Sequence, residues 1–250
     1  MNWLPIPLDV LIAVPLIGLA SYTILGLSGF GSAMVSIPML IHVLPFRVVI
    51  PLVVLADFFG SVLQGLRLRG HVDKEDLRYV VPASLVGMVA GVSMLAKFSP
   101  TVLMWCLGIF VTAFGAYRLG AGTKARRVSA RWGVLAGLCG GVIGGSIGVG
   151  GPIYAAYMSM RTDDHSRFRS NLSVIFLFST AGRIALYLAS GLLLQRLVWW
   201  TLPLMLLSLP FGLSIGHRIH LRLSRSQVHR LIALLLVASG ISVLWRVVLG

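Results

Sequence analysis

The sequence is short of charge, and shorter still of acid. Charged residues make up 11% of the 250, and only seven are Asp or Glu. Soluble domains average about 25% charged residues, so a fold with water on every face is excluded. The two cysteines, Cys106 and Cys139, fall in apolar stretches and form neither a disulfide framework nor a metal-ligand spacing. The chain has no Gly-Lys-Ser or Gly-Lys-Thr, so a phosphate loop for nucleotide hydrolysis is not expected. Met1 to Pro7 contains no Lys or Arg and no small-residue cleavage site, and it does not read as a removable signal peptide.

Apolar residues fill the space instead. They are 57% of the chain, and mean hydropathy is +0.93. Stretches long enough to cross a bilayer, about 17–25 residues, are read at 8–26, 47–66, 77–96, 101–119, 132–147, 170–190, 198–216 and 230–248. Two shorter apolar pieces, 32–44 and 152–160, each follow a run of glycines. One run is Gly26-Leu27-Ser28-Gly29-Phe30-Gly31-Ser32; the other extends from Gly140 through Gly144-Gly145-Ser146-Ile147-Gly148-Val149-Gly150-Gly151-Pro152. Glycine at this density breaks helices. A break at membrane depth survives only where it is buried in protein or lines a cavity. The short pieces therefore read as half-helices.

The halves match in order. A shift of 119 carries Gly26, Gly29 and Gly31 onto Gly145, Gly148 and Gly150. Shifts of 122 and 121 carry Phe46, Arg47 and Gly60 onto Phe168, Arg169 and Gly182, and Pro82, Leu85 and Gly91 onto Pro203, Leu206 and Gly212. The expected fold is an all-α integral membrane protein of two inverted repeats of about five segments. Each begins with a glycine-broken hairpin, giving eight full spans and two half-helices. The first repeat is 1–119, a basic cytoplasmic linker is 120–131, and the second repeat is 132–250.

The net charge of +14 reports orientation rather than nucleic-acid binding. Sixteen of the 21 basic residues fall in one set of loops: Arg67, Arg69, Lys74, Arg78, Arg118, Lys124, Arg126, Arg127, Arg131, Arg161, Arg167, Arg169, Arg218, Arg222, Arg225 and Arg230. Arg47, Lys97, Arg196 and Arg246 lie opposite, and Arg183 alone is inside a span. The rich set is placed in the cytoplasm, so the two halves run in opposite directions. His217 and His220 share a basic loop without an acid or cysteine to complete a metal site, and that loop is expected to meet lipid headgroups. No metal or cofactor is expected, and nothing in the sequence bears on oligomeric state.

Each break is followed by a helix start, with Ser32 and Gly151 near the cap position and Pro152 in the first turn. Unpaired N–H groups and the positive end of the dipole then face the membrane centre, which suits an anion. Glycine also serves close helix packing, but a matched pair of breaks favours binding. The expected substrate-binding set is Ser28, Gly29, Gly31, Ser32, Gly148, Gly150, Gly151, Pro152 and Arg183. Asp57, near the centre of 47–66, is assigned proton coupling. Under the repeat alignment Asp57 matches Ser179 and Ser61 matches Arg183, so the two charges sit on equivalent helices. A structural ion pair between them is the alternative. Ser36, Tyr154, Tyr157, Asn171 and Ser173 are weaker polar candidates. The acids Asp73, Glu75, Asp76, Asp163 and Asp164 read as solvated loop charges.

These two glycine-broken hairpins, with Pro38 after the first, resemble those of the sulfite exporter TauE/SafE family of membrane permeases. The resemblance covers essentially the whole chain; the first hairpin departs from it by having Ser32 where the second has Gly151. It implies a secondary transporter of small sulfur-containing oxyanions, sulfite or organosulfonates, coupled to protons and working by alternating access. It further implies a multi-pass protein of the bacterial cytoplasmic (inner) membrane, with membrane lipid and the oxyanion as its partners. An anion channel shares the broken helices, and an intramembrane enzyme lacks a nucleophile–base pair here; both remain open at this point. The topology predicts that, in a chain without Cys106 and Cys139, a cysteine at 124 reacts with an impermeant reagent from the cytoplasm only and one at 97 from outside only. The reverse pattern overturns it.

Overall fold

A computed structural model describes residues 7–67, 72–120, 127–220 and 225–249. Arg69, Lys124, Arg126 and Arg222, used above to set orientation, lie outside them, as does half of the linker. The described residues form ten helices and no strand: α1 (Leu8–Ser28), α2 (Ser32–Leu40), α3 (Phe46–Arg67), α4 (Lys74–Lys97), α5 (Pro100–Gly120), α6 (Trp132–Ile147), α7 (Gly151–Arg161), α8 (His165–Ala189), α9 (Arg196–His220) and α10 (Arg225–Leu249). One 3₁₀ turn, Leu192–Leu194, precedes α9.

Both predicted breaks are present, and they begin alike. Gly29 ends α1 with φ 81°, and Gly148 ends α6 with φ 81°. Only glycine takes this left-handed conformation without strain. Among the described residues, seven helices are long and apolar enough to cross a membrane. The sequence reading expected α6 to be an eighth, but Gly148 stops it at 16 residues, about 24 Å at 1.5 Å per residue. Helices α2 and α7 are shorter still, at 9 and 11 residues.

Helix pairing follows the internal repeat. The most extensive interfaces are α4 with α6, α1 with α9 and α5 with α10, followed by α3 with α8. Exchanging α1–α5 for α6–α10 in order carries α4·α6 onto α9·α1 and α3·α9 onto α8·α4. The pairs α5·α10 and α3·α8 map onto themselves. The correspondence reaches single residues. A Cβ on Gly26 would lie 2.7 Å from the Leu213 carbonyl, and one on Gly145 would lie 3.0 Å from the Val92 amide. A shift of 121 carries Val92 onto Leu213. Each half therefore packs its first helix against the fourth helix of the other.

Lipid tails are as apolar as leucine, so these helices gain from close packing and not from leaving water. Small residues permit that approach: a Cβ on Gly141 would overlap the Ser84 carbonyl, and one on Gly91 the Val142 carbonyl. Large apolar side chains such as Ile12, Ile109, Trp199, Leu207, Phe211 and Trp245 point outward, where acyl chains can cover them. Gly141→Val is expected to cost about 1–3 kcal/mol or more through overpacking, read as a lower Tm in detergent. Leu135→Val, at an exposed position, should leave Tm unchanged; equal Tm values for both variants contradict this packing.

Candidate functional site

The two breaks meet at a cavity. It is lined from the first half by Phe30, Gly31, Ser32, Ala33 and Met34 at the start of α2, and by Asp57 and Ser61 of α3. The second half contributes Gly148, Val149, Gly151 and Pro152 at the start of α7, and Phe176, Thr180 and Arg183 of α8. Its volume is about 40 Å³. One water needs roughly 10–15 Å³ on this measure, so the space suits about three waters or one small polyatomic ion.

Of the expected binding set, the cavity brings together Gly31, Ser32, Gly148, Gly151, Pro152 and Arg183, with Asp57 facing them. Ser28, Gly29 and Gly150 are not in its lining. The Ser28 hydroxyl donates to the Ile24 and Phe30 carbonyls, 2.9 and 2.5 Å away, and so bridges the broken backbone. Gly29 turns toward Arg169, and Gly150 packs against Gly140. Ser32 sits next to the cap, which is Gly31, and its hydroxyl donates to Asp57 Oδ1 at 2.9 Å. Gly151 likewise opens α7 after Gly150, with Pro152 in the first turn as the sequence predicts.

Arg183 is 5% exposed and spends three hydrogen bonds on backbone. Its Nε donates to the Ser179 carbonyl at 3.2 Å, and Nη1 to the Gly144 and Gly148 carbonyls at 3.1 and 3.3 Å. The last carbonyls of α6 have no partner within the helix, and a cation is favoured at that end. Arg183 thus closes the broken end of α6, helped by the Tyr187 hydroxyl, which donates to the Gly145 carbonyl at 3.2 Å. Among the described residues no hydrogen bond takes the Nη2 donors, and Arg183 lines the cavity. No salt bridge among those residues joins Arg183 to Asp57, although the two charges act on each other across the cavity.

The remaining polar candidates serve packing. Ser36 donates to the Ser32 carbonyl and Ser173 to the Arg169 carbonyl, each at 2.9 Å. Asn171 accepts from the Asp73 amide at 2.9 Å. Tyr154 is buried against Phe176. Tyr157 lies elsewhere, and so does an acid that the sequence reading left in water. Asp76 is 2% exposed and accepts from the Tyr157 hydroxyl at 2.8 Å and from Arg161 Nε at 2.6 Å. Arg161 also donates to the Val128 carbonyl at 2.9 Å. A buried carboxylate persists only when paired and hydrogen-bonded; here it ties the end of α7 to the start of α4. Phe176 and Thr180 line the cavity and were missed from sequence; they lie seven and three residues before Arg183 on one stripe of α8.

Comparison with known proteins fits this geometry. A family model described as "Sulfite exporter TauE/SafE" matches residues 14–243. The chain belongs to that family. It is also similar to the "Probable inner membrane transporter protein TsaS" of Comamonas testosteroni, at 26% identity over 202 residues, covering 78% of this chain and 83% of that protein. No solved structure matches the chain. The protein is a membrane transporter and not an enzyme. A Cβ at Gly148 would lie 2.5 Å from Ile37 Cδ1 and would have to adopt φ 81°. Gly148→Leu is therefore expected to cut transport by about tenfold or more in protein that still inserts; normal transport by this variant would reduce the break to packing.

Proposed function

We propose that the cavity binds one small sulfur-containing oxyanion of about sulfite size, and that the protein carries it across the bacterial cytoplasmic (inner) membrane by proton-coupled alternating access. The observation that carries this reading is the pairing of an uncommitted Arg183 Nη2 with two helix starts around a space that fits one small ion. A planar guanidinium edge matches an oxyanion, and the first-turn amides of α2 supply further donors. Larger organosulfonates need the cavity to widen.

Asp57 gives the reading its coupling. It faces the same space and is held by Ser32 at the positive end of α2. An ionised Asp57 and a bound anion repel one another, so protonation of the carboxyl favours anion entry. Mutual exclusion of this kind links proton and anion movement without a nucleotide. The anion itself runs outward with the membrane potential, by about 2.3 kcal/mol per charge per 100 mV.

Alternating access draws on the symmetry. If the charge distribution sets orientation, the two hairpins enter from opposite sides, and the matched pairs α1·α9 and α4·α6 supply equivalent moving units. A carrier of this design shows counterflow, in which unlabelled sulfite on one side of a proteoliposome drives transient accumulation of labelled sulfite; a channel does not.

Arg183→Ala removes charge-assisted hydrogen bonds worth about 1.5–3 kcal/mol each, so the half-saturating sulfite concentration should rise by about tenfold or more. Asp57→Asn mimics the protonated acid. It should retain sulfite exchange while losing accumulation driven by a pH gradient. Unchanged affinity in the first variant and unchanged coupling in the second would remove both residues from the mechanism.

A further inference from the structure

Arg169 is a second cation on α8, half-buried where Arg183 is buried. Its Nη2 donates to the Gly26 carbonyl at 3.1 Å, so it closes the broken end of α1 as Arg183 closes that of α6. Its Nε is enclosed and has no hydrogen-bond partner among the described residues. No salt bridge among the described residues reaches it. The group lies against the first break, with Nε 3.4 Å from where a Cβ on Gly29 would sit. The next residue, Phe30, lines the cavity and has the Arg118 guanidinium 5.9 Å from its ring centroid. Two cationic side chains thus meet adjacent residues of one break.

The helix supplies the connection. Arg169 and Arg183 are 14 positions apart, about 21 Å along α8 and on nearly the same face. Ser173, Phe176 and Thr180 fall between them on that stripe, and the last two line the cavity. An enclosed guanidinium Nε without a partner is costly in a membrane protein, and an oxyanion is a group that satisfies it.

We propose that Arg169 forms a second oxyanion station at the first break, separate from the Arg183 cavity, and that the Phe30 side chain is the barrier an anion passes between the two. The station rests on the proposed function for its ligand class. It deepens that function by making transport a two-step relay along α8. Arg169 belongs to the basic loop set, so the proposed topology puts the station on the cytoplasmic side.

The test is equilibrium binding of radiolabelled sulfite to the purified full-length chain in detergent, for the wild type, Arg169→Gln, Arg169→Lys and Arg183→Gln, each checked for monodispersity. The wild type should bind roughly two anions per chain, and Arg169→Gln and Arg183→Gln roughly one each. Arg169→Lys, which keeps the charge, should keep the second anion with weakened affinity. In sided proteoliposomes, Phe30→Ala should speed sulfite exchange from the cytoplasmic face more than Phe176→Ala does. One anion per chain, lost in Arg183→Gln and kept in Arg169→Gln, would overturn the station and leave the central site standing. So would a Lys variant as defective as the Gln variant, which would make Arg169 a tie to the Gly26 carbonyl only. Absence of saturable sulfite binding in the wild type would overturn both the station and the functional reading beneath it.

Discussion

Two helices stop inside this protein, and the polar backbone at their ends must find partners without water. That requirement organises the rest of the structure. The carbonyl end of α6 is closed by Arg183 and Tyr187, both from α8. The carbonyl end of α1 is closed by Arg169, also from α8, and by the Ser28 hydroxyl. Residues at the starts of α2 and α7 line the cavity. Satisfying the carbonyls with cations brings Arg183 to the meeting point of the breaks, where the proposed function puts the anion. The same groups that make the breaks tolerable make the site attractive to an anion.

The repeat is close in backbone and unequal in charge. Residue-level contacts such as Gly26 with Leu213 and Gly145 with Val92 correspond across the halves. The central charges do not: α8 carries Arg183 where α3 has Ser61, and α3 carries Asp57 where α8 has Ser179. The two hairpins correspond in helix pairing, and the cavity has a cation on one side and an acid on the other. A symmetric pair of arginines would bind an anion without a proton-sensitive competitor. The asymmetry is what joins binding to protonation in the proposed cycle.

Much of this was legible in the sequence because it depends on glycine. The breaks, the half-helices after them and the alignment of the halves follow from where Gly29, Gly31, Gly148 and Gly150 fall. The opposition of Asp57 and Arg183 follows from that alignment, since α3 and α8 are equivalent and pack together. Side-chain commitments were not legible. Ser28 looks like a ligand and bonds its own backbone; Ser32 lies beside a cap and bonds Asp57. Asp76 has charged neighbours in sequence, yet it is buried by Tyr157 and Arg161 from a helix 80 residues away or more. Helix α6 has the bounds read from sequence, 132–147, and at 16 residues it is shorter than the seven long helices.

The central claim is that the space between the breaks holds one small oxyanion on Arg183. Anomalous diffraction from crystals grown with selenite, a heavier relative of sulfite, tests it most directly. The account predicts a selenium peak in the cavity, within hydrogen-bond reach of Arg183 Nη2 and the first-turn amides of α2. A cavity without that peak at saturating selenite would contradict it.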